Sequence, residues 1–146
     1  MKLWLCTLAL CLMLTSTFGF KVVEHKNGQD VLKLLEEGDN TVYVIMFFVP
    51  GKDGSVHNVK TVEDEKELIA RVLNRFPSFY YAKVNAADPN YADLVKACGI
   101  IVNELPESPS VLIIEGGVGV WVHGPQTINK VEEFAVEYQR RSTTSH

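Results

Sequence analysis

Thr41-Val42-Tyr43-Val44-Ile45-Met46-Phe47-Phe48-Val49-Pro50-Gly51-Lys52-Asp53-Gly54-Ser55 is the stretch on which the fold turns. Its first nine residues are almost continuously apolar, and most are β-branched or aromatic. A strand with one wet face alternates apolar with polar residues, whereas a strand covered on both faces does not. Residues 41–49 therefore predict a central strand with helices on each side. Pro50 and Gly51 end it, and the polar residues up to Ser55 form a turn.

Working outward, Phe20 to Val23 is a short β-prone run. Gln29 to Glu37 carries Val31, Leu32, Leu34 and Leu35 among polar residues and stops at Gly38, a natural helix C-cap. Beyond the turn, Leu68, Ile69, Val72, Leu73 and Phe76 recur at helical spacing and stop before Pro77, which marks a long second helix. Phe79 to Val84 reads as a strand, and Tyr91, Leu94, Val95 and Cys98 line the inner face of a helix closed by Gly99. Val111 to Ile114 and Val118 to Val122 are strands joined by the hairpin turn Glu115-Gly116-Gly117. A last helix carries Ile128, Val131, Phe134, Ala135 and Tyr138 on one stripe, with Arg140 and Arg141 near its C-terminus, where the helix dipole favours cations. The order is βαβαβαββα, an α/β fold with a central mixed sheet.

The chain has 146 residues, the size of one domain, and its 47% hydrophobic and 22% charged residues fit a globular protein with a real core. A formal charge of -4 argues against a nucleic-acid partner, whose phosphates demand clustered cations. Lys2, the uncharged run Leu3 to Leu14 and the small or polar residues up to Gly19 have the layout of a secretory signal peptide, with cleavage after Gly19. Read on through Phe20, the run approaches the length of a signal anchor, which would tether the chain to a membrane. The domains are then a leader at 1–19, a folded unit at 20–142 and a disordered tail at 143–146. Cleavage leaves Cys98 as the sole cysteine, so no intramolecular disulfide forms. There is no Asn-x-Ser/Thr sequon, and Thr143-Thr144-Ser145-His146 is not a Lys-Asp-Glu-Leu type of retention signal. The expected setting is the endoplasmic reticulum lumen or the exterior, with retention in the former depending on a partner, an anchor or another signal.

Five segments in order carry a resemblance to a known family: Val44 to Pro50, Tyr81 to Ala86, Ala92 to Ile100, Pro109-Ser110-Val111 and His123 to Thr127. Together they resemble a thioredoxin-like domain of the protein disulfide isomerase family, over nearly all of the chain after the leader. The resemblance implies a thioredoxin fold, a cis-proline at Pro109 and a peptide-binding groove between the turn after the central strand and the cis-proline loop. That groove would be lined by Val49, Pro50, Gly51, Lys52 and Ser55 on one side and by Ser108, Pro109 and Ser110 on the other. Residues 100–108 form a link several residues longer than the family's, which makes Pro106 a competitor of Pro109 for the cis position. Ile101, Val102 and Leu105 in this link either contact a partner or pack on the third helix.

The resemblance also shows what is missing. Redox-active members place two cysteines two residues apart in the turn, and here Lys52 and Ser55 stand at those positions. Thiol-disulfide exchange begins with a thiolate attacking a disulfide sulfur, and the turn holds no thiol. The family's buried carboxylate on the central strand corresponds to Met46. Cys98 lies on an apolar helical stripe, where a cysteine serves as a small hydrophobe. Asp53 or Ser55 reads as a cap of the second helix rather than an anion site. Glu63-Asp64-Glu65 reads as a solvated helix face, and the four histidines lack metal-ligand spacing, so neither metal nor cofactor is expected.

Three functions fit these residues. The first is a redox-inactive, protein disulfide isomerase-like module of the secretory pathway that binds polypeptide clients or a folding partner. The second is a membrane-tethered or complex-bound subunit that uses the fold as an interaction scaffold. The third is an oxidoreductase working through Cys98.

Overall fold

The computed structural model describes residues 19–37, 39–52 and 58–144. The elements are β1 (Lys21–Val22), α1 (Gly28–Glu36), β2 (Val42–Phe48), α2 (Val59–Leu68), β3 (Tyr80–Asn85), α3 (Ala92–Ala97), β4 (Ser110–Glu115), β5 (Val118–Val122) and α4 (Thr127–Thr144). A π-helical segment, Ile69–Leu73, prolongs α2, and 3-10 turns at Pro89–Tyr91 and Val102–Glu104 flank α3. The sequence pattern anticipates none of these three. The leader lies outside the described residues, and no helix among those described is long and apolar enough to cross a membrane.

The five strands form one sheet in the order β1-β3-β2-β4-β5. β2 pairs parallel with β3 and antiparallel with β4, so the nearly continuous apolar run lies at the centre, with all seven residues buried. The two faces of the sheet make two cores. On one, Val44, Met46, Val111 and Ile113 pack with Leu68, Val72, Phe76, Val131 and Ala135 of the α2 and α4 side. On the other, Ile45, Phe47, Val84 and Leu112 pack with Val31, Leu35 and Leu94 of α1 and α3, joined by Ile100 and Leu105. The period-2 alternation of β2 sends neighbouring residues to opposite cores, which is why every position must be apolar.

Local chemistry fixes the ends. Asn27 caps α1, its Oδ1 accepting the Asp30 N–H at 3.0 Å. Gly116 and Gly117, at φ 59° and 79°, make the β4–β5 turn in a conformation that other residues adopt poorly. α4 runs on through Thr144, so residues 143–144 end the helix instead of trailing from it. The hydroxyls of Ser142, Thr143 and Thr144 donate to carbonyls one turn back and take up bonding capacity that would otherwise face water.

Candidate functional site

The end of the sheet where β2 stops and β4 begins is where the sequence places a groove. Phe47 and Ser110 face each other across the β2–β4 ladder there. Past Phe48 the chain turns from buried Val49 through exposed Pro50 and half-buried Gly51 to exposed Lys52. Ser55 and Asp53 lie outside the described residues. The cap of α2 is instead Asn58, whose Oδ1 accepts the Thr61 N–H at 2.8 Å. Asn58 has the same short acceptor side chain and stands closer to the first helical turn.

The opposite wall differs from the expectation. Ser108, Pro109 and Ser110 are all buried, so they support the groove and do not line an open one. No peptide bond among the described residues is cis, and neither Pro109 nor Pro106 follows a cis bond. The trans form of an X-Pro bond is favoured by about 0.5–1 kcal/mol. Here the 3-10 turn at 102–104 and the turn that follows it already bring the chain round to Ser110. The sheet then resumes with Ser110 itself, and Pro109, which has no N–H to give, stays outside the ladder.

The long link between α3 and β4 is divided. Leu105 is fully buried in the α1/α3 core and Ile100 nearly so, while Ile101 and Val102 stay 47% and 37% exposed. The link is tied down at two points. Asn58 Nδ2 donates to the Pro106 carbonyl at 3.5 Å. His123, at the end of β5, shares a 3.2 Å hydrogen bond between Nδ1 and Ser110 Oγ, and its Nε2 lies 4.0 Å from Glu104 Oε2. Hydroxyl, imidazole and carboxylate in sequence suggest a nucleophile, but Ser110 is 1% exposed and presents nothing to a substrate. The trio instead ties the link to the sheet. The described residues exposed here include Pro50, Lys52, Ile101, Val102 and Pro106, with Val59 and Val62 exposed on the first turns of α2.

Beneath this end lies a polar cluster that sequence reading misses. Met46 stands opposite Lys83 in the β2–β3 register, and Lys83 donates to Glu65 Oε1 of α2 at 3.0 Å. Tyr81, two residues earlier on the same face, donates to Glu65 Oε2 at 2.5 Å and lies 3.9 Å from Met46 Sδ. Burial, reinforced by the Glu65 carboxylate, pushes the Tyr81 hydroxyl well above its usual range, so it is a neutral donor at all ordinary pH. Glu65 belongs to the acidic run that reads as solvated, yet it accepts from both Tyr81 and Lys83. The available signal was the pairing of Tyr81 and Lys83 at period 2, a face that needs an acceptor.

Cys98 packs on the other face of the sheet from this polar cluster. It closes α3 against Trp121 in the other core, and burial pushes its thiol up to about 11. Among the described residues no group of three His, Cys, Asp or Glu side chains is placed to hold a metal ion.

No family model and no curated protein matches the sequence. Solved structures do match. A thioredoxin from Fasciola hepatica superposes with a TM-score of 0.58 at 17% identity, over 82% of this chain and 99% of that one. The thioredoxin of Trypanosoma brucei brucei gives 0.61 at 16% identity over 82% and 92%, and thioredoxin f from spinach chloroplast 0.62 at 17% over 85% and 90%. The fold is thioredoxin-like. At these identities the likeness carries the architecture and not the chemistry of the neighbours.

Proposed function

We propose that the chain is a redox-inactive thioredoxin-like module of the secretory pathway that binds extended polypeptide, from unfolded clients or a folding partner, at the β2–β4 end of its sheet. The observation that carries this reading is the turn after β2, where Lys52 and Ser55 replace the two thiols that exchange chemistry needs. Cys98 is no substitute, because a thiol held near 11 offers almost no thiolate at neutral pH. Exposed Ile101, Val102, Val59 and Val62 around exposed Pro50 and Pro106 supply the apolar contacts that an extended peptide requires. The leader-like residues 1–19 are what support the secretory setting, and the absence of a cysteine pair is what supports a non-enzymatic role.

Fluorescence anisotropy of the full chain with a labelled, permanently unfolded polypeptide such as reduced and carboxymethylated α-lactalbumin tests this. Saturable binding that falls about tenfold in the double variant Ile101→Asp, Val102→Asp is expected, the scale of desolvating two half-exposed apolar side chains. Binding that is absent, or indifferent to both aspartates, overturns the reading.

A further inference from the structure

Behind the sheet, towards the end opposite the proposed peptide site, lies a cavity of about 340 Å³. It opens between the C-terminal ends of α1 and α3 and the β4–β5 hairpin. Leu32 and Leu35 of α1 and Leu112 and Ile114 of β4 form its apolar walls, and Trp121 of β5 completes them. The volume is at the small end of ligand pockets, about 300–1,000 Å³, and suits a mono- or bicyclic body.

Three features give the cavity a chemical preference. First, the wall at Gly119 has no side chain and lies close on β4: it stands opposite Ile114, and a Cβ there would come within 2.6 Å of Ile114 Cβ and of the Ile113 carbonyl. Second, all the charge at the cavity is of one sign. Glu36 is among the lining residues and no lysine, arginine or histidine is, while the -4 charge of the whole chain adds to the same field. Third, Glu36 ends α1, so the partial negative charge of that helix's C-terminus reaches the mouth beside an indole ring, whereas the last carbonyls of α3 are already taken by the N–H groups of Cys98, Gly99 and Ile100.

We propose that this cavity binds a compact hydrophobic amine, its aromatic or short aliphatic body between Leu112, Ile114 and Trp121 and its ammonium at the mouth facing Glu36. The neutral Cys98 thiol is part of the wall and takes no part in charge recognition. The charged mouth and the peptide site lie towards opposite ends of β4, whose register places Ser110 beside Phe47 at one end and Glu115 beside Val42 at the other.

Three probes that share one ring test the proposal by amide NMR titration of the full chain: 2-(1-naphthyl)ethylamine, the neutral 2-(1-naphthyl)ethanol and anionic 1-naphthylacetate. Saturable shifts at Cys98, Gly119 and Trp121 are expected with the amine, weaker ones with the alcohol and weakest with the acetate. Glu36→Gln, an exposed site, brings the amine down to the alcohol's affinity, about three- to fivefold, the scale of one exposed ion pair. The alcohol's affinity, unchanged in that variant, certifies the fold, and Cys98→Leu, which intrudes on the cavity, weakens all three. An amine that fails to saturate at millimolar concentration, shifts residues elsewhere, or binds no better than the acetate overturns the proposal. Unfolded-polypeptide binding is unaffected by Glu36→Gln, so the two readings fail separately.

Discussion

β4 presents its two faces to two differently built layers. Val111 and Ile113, turned to α2 and α4, are 0% exposed, whereas Ile114, one residue on and turned to α1 and α3, is only partly buried. Helix length explains the difference. α4 has 18 residues and at 1.5 Å per residue reaches about 27 Å, longer than any strand it covers, while α3 has six and reaches about 9 Å. α1, with nine residues, cannot cover the remainder, and the shortfall is the cavity beside Trp121. A thioredoxin-like sheet is therefore closed over Val111 and Ile113 on one face and left with a recess beside Ile114 and Trp121 on the other.

The largest expected effect contrasts those neighbours directly. Ile113→Ala removes a fully buried side chain from the sealed layer and costs about 3–4 kcal/mol in urea unfolding, whereas Ile114→Ala, at the wall of the recess, costs about 1 kcal/mol. Equal costs would mean that the second layer is closed as tightly as the first and would remove the recess from the argument.

Next comes Gly119→Ala. The new methyl meets backbone at 2.6 Å, and backbone cannot step aside, so a loss of about 2 kcal/mol is expected although the residue is exposed. A neutral outcome would show that β5 shifts outward freely. The polar cluster under the peptide site ranks third. Glu65→Gln leaves Lys83 and Tyr81 without the carboxylate they share and costs about 1–2 kcal/mol. The same cluster sets a pH dependence. The Tyr81 proton is held more tightly in the folded chain than in the unfolded one, so the folded state binds more protons and stability falls as pH rises past the ordinary tyrosine value near 10. Urea titrations at pH 8 and pH 10.5 check this, and Tyr81→Phe flattens the slope.

These contrasts mark what the sequence can show. The β2 run, the Gly116-Gly117 turn and the 3.6 stripe of α4 are local signals, and each predicted the right element, although Phe134, counted on that stripe, is 36% exposed. Pro109 misled because the cis bond was implied by the resemblance and by nothing in its own neighbours; the chain reaches Ser110 through the turns at 102–107, with Leu105 buried in the core. Glu65 was missed because its partners Tyr81 and Lys83 lie 16 and 18 residues away, and an acidic run alone looks like any wet helix face. The recess was invisible for a related reason. It is a missing contact between α3 and the hairpin, and periodicity reports which residues turn inward without reporting whether anything meets them.

The last contrast is in rate, not stability, and it probes the recess from inside. A thiol with the ordinary value of 9.0 is about one-tenth thiolate at pH 8, while one pushed up to about 11 by burial is about one-thousandth. Iodoacetamide attacks only the thiolate. Alkylation of Cys98, followed by mass spectrometry of its own peptide, should then run about a hundredfold slower in the folded chain than in urea at pH 8. It should also climb tenfold per pH unit until about pH 11. A plateau near pH 9 would place the thiol in water, widen the recess beyond a ligand-sized cavity and return Cys98 to contention as a redox group. A rate that keeps climbing to pH 11, and is slowed further by a naphthylethylamine in the recess, ties the thiol's protonation to the same apolar walls that shape the cavity.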